Sequence, residues 1–392
     1  MIKAGYKKTE TGVSFGEIFE EMLTRKKIKG DDIVTFLGMQ DLSEEASIIK
    51  QHQVLFSHVK SGFTYFERND TLVAKITPCF ENGKGAFLGE LTTPIGFGST
   101  EFHVLRAKDG NDPKYIYHHT RSDAFRKKLE KEMVGSAGHR RVPFVEIQKY
   151  WLPVKHNLAE QTAIAKALSD TDALIQSLSQ LIAKKRQIKQ GAMQTLLNPY
   201  DETGALKVGW VVRALGDVAH VEMGQSPSSI NYNNKAEGLP LIQGNADIKD
   251  RKTIIRVFTS QITKRCQRGD TIMSVRAPVG EIAKATFNAC IGRGVCSIRY
   301  INEYLYHYLI RIENDWSKLS KGSTFDSVNS IEVKGLNIWL PEDKDEQTQI
   351  AKTLTDMDTE ITTLETKLSK YQKIKQGMMQ NLLTGRIRLV TK

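Results

Sequence analysis

Cysteine is scarce in this chain and badly placed for either disulfides or zinc. Its 392 residues include four, Cys79, Cys266, Cys290 and Cys296, with no CxxC pair and no matching histidine spacing. No disulfide framework or zinc-finger ligand set follows, so reduced thiols and no metal site are expected. The nine histidines show no ligand spacing either. No run approaches the ~20 apolar residues of a membrane span. The opening Met1-Ile2-Lys3-Ala4-Gly5-Tyr6-Lys7-Lys8 lacks the apolar stretch of a signal peptide. A cytoplasmic protein without membrane contact is the expectation. Catalytic signatures are missing too: no GxxxxGK[ST], no GxGxxG after a strand, no GxSxG and no HExxH. Asn198-Pro199-Tyr200 has some letters of an adenine methyltransferase box but lacks its second proline and lies in a linker. No catalytic residue is expected in this chain.

Acidic charge is also in deficit. Lys and Arg number 56 against 45 Asp and Glu, a net charge of +11. Such a balance favours a polyanionic partner, with nucleic acid the first candidate. The length suffices for two ordinary domains, and 40% apolar with 26% charged residues is a globular composition.

What the chain does contain is a long repeat. Glu160-Gln161-Thr162 through Leu196-Leu197 recurs as Glu346-Gln347-Thr348 through Leu382-Leu383, at a constant offset and without a gap. Twenty of the thirty-eight aligned pairs are identical, among them Asp170/Asp356, Asp172/Asp358 and the run Ile188-Lys189-Gln190-Gly191 against Ile374-Lys375-Gln376-Gly377. The period is too long for a solenoid. It reads as two copies of a domain-plus-helix unit, which suits a two-part ligand.

The repeated stretches have the steps of four and three that mark a helix with an a/d seam. In the second copy the seam is Ile350, Leu354, Met357, Ile361, Leu364, Leu368, Tyr371, Met378 and Leu382, broken by Lys375. In the first it is Ile164, Leu168, Thr171, Ile175, Leu178, Ile182 and Leu196, with Lys185 and Lys189 interrupting. Each helix would run roughly 55–60 Å. Two related stripes in one chain most simply bury against each other; the alternative is that each packs on its own domain. Gly191 and Gly377 sit at matched places, where either a close backbone approach or a local bend is expected.

Ahead of each helix lies a stretch that ends alike. Glu146–Pro153 and Val333–Pro341 both finish in Trp-Leu-Pro, as a strand would before a loop. Gly135-Ser136 matches Gly322-Ser323, and Tyr115-Ile116-Tyr117-His118 matches Tyr304-Leu305-Tyr306-His307. Asp70-Thr71-Leu72-Val73 with Lys75 and Pro78 echoes Asp270-Thr271-Ile272-Met273 with Arg276 and Pro278. Strands are expected at 70–76, 102–106, 270–276 and 295–300, and short helices at 114–121 and 303–312. Residues 251–299 carry ten Lys or Arg (Arg251, Lys252, Arg256, Lys264, Arg265, Arg268, Arg276, Lys284, Arg293, Arg299) against Asp270 and Glu281. Arg126, Lys127, Lys128, Lys131, Arg140 and Arg141 crowd the approach to the first Trp-Leu-Pro. Such groups contact phosphate or, as bidentate arginine, guanine edges.

The fold class is therefore α+β: two mixed α/β domains separated by two long helices that pair as an antiparallel coiled coil, with an internal pseudo-two-fold repeat. The expected boundaries are 1–157 and 200–343 for the domains, 158–199 for the first helix and 344–392 for the second helix and tail, with Asn198–Gly204 as the linker between the halves.

These residues resemble the specificity subunits of type I restriction–modification systems. The resemblance rests on Leu-Pro followed by a Glu-Gln-Thr-x-Ile-Ala-Lys-x-Leu helix opening, present twice, with a variable domain ahead of each. Gly209-Trp210 through Gly224-Gln225-Ser226-Pro227, then Pro240-Leu241-Ile242 and Asp247-Ile248, also resembles the opening of the family's recognition domains. Gly16-Glu17-Ile18 to Asp41-Leu42 matches that opening less well. The resemblance implies two target-recognition domains, each reading half of a bipartite site in double-stranded DNA, with the helices as a ruler between them. It implies as partners two methyltransferase subunits, using S-adenosylmethionine, and two translocase–nuclease restriction subunits, using ATP and Mg2+. This chain itself would bind no cofactor.

For base contacts, polar side chains near turns in basic surroundings are the candidates. They are Lys75, Ser99, Arg140 and Arg141 in the first half, and Gln225, Ser226, Gln243, Asn245, Arg276 and Arg293 in the second. Other readings remain open: a stand-alone two-domain DNA-binding protein, an enzyme with an unrecognised site, and a scaffold for acidic proteins.

Overall fold

The computed structural model describes residues 12–136, 138–313 and 327–389. The chain divides into two compact units, Met1–Ser179 with Lys367–Lys392, and Gln180–Thr366. Each holds one sheet-rich domain and a segment of each long helix. Both helices form, as Leu158–Leu196 and Lys344–Leu382, 39 residues each.

In the first unit, Thr71–Ala74 is the middle of a three-stranded antiparallel sheet between Gly85–Phe87 and Phe102–Leu105. A four-stranded mixed sheet, ordered His52–Leu55, Ile33–Leu37, Ile95–Gly98, Thr64–Glu67, adjoins it in sequence. Helices Pro113–Thr120 and Asp123–Glu130 follow, with Asp112 and Ser122 as N-caps that accept backbone amide bonds. The core gathers Phe15, Phe19, Tyr115, Phe125 and Ile147 with Ile164 and Leu168 of the first long helix and Leu382 and Leu383 of the second.

The second unit repeats this frame. Thr271–Ser274 lies between Ile282–Lys284 and Val295–Arg299, now inside a six-stranded sheet. A five-stranded sheet with Leu239–Ile242 at its centre takes the place of the four-stranded one. Leu215, Tyr304, Tyr308 and Ile338 pack with Leu197, Ile350 and Leu354.

The helix seam buries itself in both expected ways, against the domains and against the other helix. Within the first unit, Thr171 meets Met378 at 3.6 Å and Asp172 is ion-paired with Lys375. Within the second, Lys185 reaches Glu360 at 2.7 Å and Lys189 reaches Asp358 at 2.5 Å. Numbering rises along one helix as it falls along the other, so the segments are antiparallel in each unit. The seam lysines are thus partnered, not defects.

Three local readings change. Glu146–Lys149, read as part of a strand, belongs to the helix Phe144–Lys149, and only Trp151–Leu152 is strand. Ile147 is fully buried on that helix, and a run of six residues is too short to separate the two periods. In the second copy Ser330–Lys334 is likewise helical, capped by the Asn329 side chain, before the strand Asn337–Pro341. A Cβ at Gly191 or at Gly377 would meet nothing within 4 Å, so no backbone approaches closely there. The Gly322-Ser323 match lies outside the described residues. Among the described residues, no helix is long and apolar enough to cross a membrane.

Candidate nucleic-acid interfaces

The four candidates of the first half converge. Beyond Thr71–Ala74 the chain leaves its sheet at Lys75, whose amide donates to Glu101 O (2.9 Å) and whose carbonyl accepts from Val142 N (2.9 Å). Thr77 N donates to Arg140 O, and Ile76 bridges Arg141. Ser99 heads the neighbouring loop, where its hydroxyl accepts from Glu101 N at 3.2 Å. Arg141 forks onto Glu101 (2.8 and 2.9 Å), and Arg140 reaches Glu81 at 3.2 Å. Burial, partly offset by Glu101 and reinforced by Arg141, pulls the Lys75 ammonium below its ordinary value. Three cations and two carboxylates leave this patch positive, with the arginines held in exchangeable surface pairs.

Alongside it stands a short turn, Met39–Asp41, that sequence reasoning missed. The buried Asp41 carboxylate accepts from Gly38 N (2.7 Å) and meets His52 Nε2 (3.0 Å), which leaves Gln40 displayed to solvent. Lys84 donates to Met39 O at 3.3 Å, and Ser99 N donates to Leu37 O at 3.1 Å. Turn, lysines and the Ser99 loop therefore form one face.

The second half builds the matching face. Gln225 N donates to Ile291 O (2.9 Å), Gly292 N to Ile242 O (2.8 Å) and Arg293 N to the Ser226 hydroxyl (3.1 Å). Close backbone packing demands glycine here: a Cβ at Gly294 would lie 2.0 Å from Gln243 O, and one at Gly224 2.1 Å from Gly292 O. Asp247, buried like Asp41, accepts from Gln243 N at 2.7 Å and fixes the turn Asn245–Asp247 with Asn245 exposed. Arg256 stands 3.5 Å from Asp247, in the place His52 takes beside Asp41. Gln243, Asn245, Asp247 and Arg256 line a cleft of about 400 Å³.

The repeat also sets equivalences. Val275 N donates to Gly294 O and Val275 O accepts from Val328 N, which is the bonding of Lys75. So Lys75 corresponds to Val275, and Arg276 to Ile76. Arg276 stands one residue further along the chain, so the echo seen in sequence is off by one. The Met39–Asp41 turn escaped notice for a related reason. Leu37-Gly38-Met39-Gln40-Asp41-Leu42 is one residue shorter than Ile242-Gln243-Gly244-Asn245-Ala246-Asp247-Ile248.

Of the ten cations in 251–299, five are tied internally: Arg251 to Glu313, Arg256 to Asp247, Lys264 to Glu222, Lys284 to Glu303 and Arg299 to Asp270. Among the described residues, Lys252, Arg265, Arg268, Arg276 and Arg293 are exposed with no acidic partner. Unpaired exposed cations of this number suit phosphate binding. Among the described residues, no group of three or more His, Cys, Asp or Glu is placed to hold a metal ion.

Residues 207–376 match the family model described as type I restriction modification DNA specificity domain. The chain is 33% identical over 250 residues to the putative type I restriction enzyme MjaX specificity subunit of Methanocaldococcus jannaschii, covering 60% of this chain and 59% of that one. Over these residues the chain is similar to type I specificity subunits. A second relative, the EcoAI specificity subunit of Escherichia coli, is 38% identical over 140 residues, 36% of this chain and 24% of that one. The chain thus spans less than two thirds of these curated relatives. Two solved structures share the fold. The type I restriction–modification S subunit from M. genitalium superimposes with a TM-score of 0.64 at 16% identity, covering 97% of this chain and 98% of that one. A chain solved in work on complex assembly and conformational transition of the type I system gives 0.58 at 24%, covering 98% and 100%.

Proposed function

We propose that this chain is a type I specificity subunit, that it reads a bipartite site in double-stranded DNA, and that it contributes recognition, not catalysis, to a cytoplasmic type I complex. The observation that carries this reading is the duplicated face. At one and the same place in each copy of the frame, an Asp-pinned turn displays an exposed amide (Gln40, Asn245) beside basic loop residues. Amide and guanidinium groups are the side chains that distinguish base pairs in the major groove, while the surrounding lysines and arginines meet phosphate. Residues 1–157 would read one half-site and 200–343 the other.

The helices 158–199 and 344–392 would set the number of base pairs between the half-sites and dock two methyltransferase subunits, with two restriction subunits completing the complex. S-adenosylmethionine, ATP and Mg2+ would be carried by those partners. The test is to recover the chain with its native partners, map the methylated adenines, and repeat after exchanging one domain for that of a relative. One half-site should change and the other stay. Recovery of the chain alone, binding duplex DNA specifically without a methyltransferase, would favour a stand-alone binder.

A further inference from the structure

The seam between the long helices has charged positions in both units, and they are the same positions of the repeat. Lys375, buried, pairs with Asp172 in the first unit, and its repeat equivalent Lys189 pairs with Asp358, the equivalent of Asp172, in the second. Each aspartate sits on the helix that follows its own domain, beside polar side chains of that domain. In the first unit Arg121 reaches Asp172 at 3.0 Å and His118 Nε2 bonds Ser169 at 3.0 Å, one turn earlier. In the second, His307 bonds Thr355 at 2.9 Å and stands 3.9 Å from Asp358. A domain, its own helix and the opposing helix thus meet in one polar knot, formed twice.

An apolar heptad seam is degenerate. Sliding one helix by seven residues places isoleucines and leucines opposite each other again, so hydrophobic burial alone distinguishes such registers poorly. The knots remove the degeneracy. A slip in one direction sets Asp172 against Leu368, Lys375 against Ala165, Asp358 against Ile182 and Lys189 against Ala351. The other direction sets Asp172 against Leu382, Asp358 against Leu196 and Lys375 against Ser179, and only Lys189 finds a new carboxylate, Glu365. Lys375 is buried and loses its carboxylate in both slips, while the half-buried Asp172 and Asp358 lose their lysines, so both slips are disfavoured.

We propose that Asp172–Lys375 and Asp358–Lys189 are register keys that determine the spacer length between the two half-sites. These four are positioning residues. The inference rests on the ruler role given to the helices above. It differs from that role in assigning spacer choice to four side chains rather than to helix length alone.

The test uses the full chain with its partners and replaces the keys by D172A, K375M, D358A and K189M together. Register is read by crosslinking cysteines at 171 and 378 (native, Thr171–Met378) or at 171 and 371 (slipped). Spacing is read by methylation mapping on a library of half-sites at varied separation. The expected result is a severalfold loss of the 171–378 crosslink, a rise at 171–371, and a second spacing class with both half-site sequences unchanged. The exchanged pair D358K with K189D, with the first-unit key intact, should keep the native crosslink and one spacing; slippage in it would overturn the proposal. So would native crosslinking and a single spacing in the fourfold variant, because packing of Leu382 and Leu383 would then suffice. Slipped crosslinks with unchanged spacing would overturn the ruler and with it the spacer role of the keys, leaving them a part in helix register alone. If the fourfold variant fails to fold, K189M with D358A alone is read in the same way, by cysteines at 185 and 360.

Discussion

Arg106 grips the buried carboxylate of Asp70 through two bonds of 2.8 Å, and Arg299 holds Asp270 in the same way at 2.8 and 2.9 Å. In each copy the same carboxylate also accepts an amide from three residues earlier, Glu67 N or Gln267 N. The pair therefore fixes the turn that feeds the central strand and ties it to the last strand of the sheet. From the central strand the chain runs out to the candidate DNA face.

Asp270→Asn keeps the shape and removes the charge. Hydrogen bonds to a charged group are each worth roughly 1.5–3 kcal/mol, and a loss of that size in the second unit is expected in denaturant unfolding. Burial acts to raise the Asp270 carboxyl, but Arg299, the Gln267 amide and the Ser297 hydroxyl outweigh it and hold it below its ordinary value. A depressed folded value contributes stability that is full above the ordinary carboxylate range and lost as pH falls through the lower one. The wild-type chain should accordingly lose stability on acidification more steeply than Asp270→Asn.

Gly294→Ala tests the close packing behind the second face. Its methyl would fall 2.0 Å from Gln243 O, which is backbone and cannot swing aside. A cost of about 1–3 kcal/mol is expected from the forced shift. Binding to the second half-site should weaken while the first is still read, as measured with DNAs altered in one half at a time.

Arg293 and Lys252 separate base reading from charge. Arg293→Ala should cost roughly 1–3 kcal/mol and relax preference at one base pair of the second half-site. Lys252→Ala should weaken all sequences alike and reduce the salt slope of binding by about one. Equal, sequence-independent losses from both would mean that Arg293 touches only phosphate.

Leu364→Asp with Leu368→Asp places two carboxylates on the second helix's seam. Assembly with partners and DNA recognition should be lost together, seen by co-purification and by mobility shift. Recognition retained in that variant would count against the helix pair as a ruler.

The helices were legible because their information is local. A period near 3.5 sustained over ten turns, written twice, leaves no other secondary structure that buries those residues on one side. The candidate residues were legible in part: Lys75, Ser99, Arg140 and Arg141 do share one face, and Gln225, Ser226, Gln243 and Arg293 another. Residues 146–149 were misread because six residues do not distinguish a buried turn of helix from a strand.

By itself, then, the sequence determined that two equivalent units exist, that two long helices follow them, and that the excess charge is basic. Tertiary structure decided which charges are spent internally and which remain. Arg299, Lys189 and Lys375 look like any other cation in the sequence, yet they are held by Asp270, Asp358 and Asp172. Periodicity specifies which face of an element is buried. It does not specify what stands opposite, because that depends on the register between segments far apart in the chain. The Asp-pinned turns depended on tertiary structure for the same reason: an inserted residue weakens the match of Asp41-Leu42 to Asp247-Ile248 in sequence, and the common amide-to-carboxylate bond shows that both build the same turn.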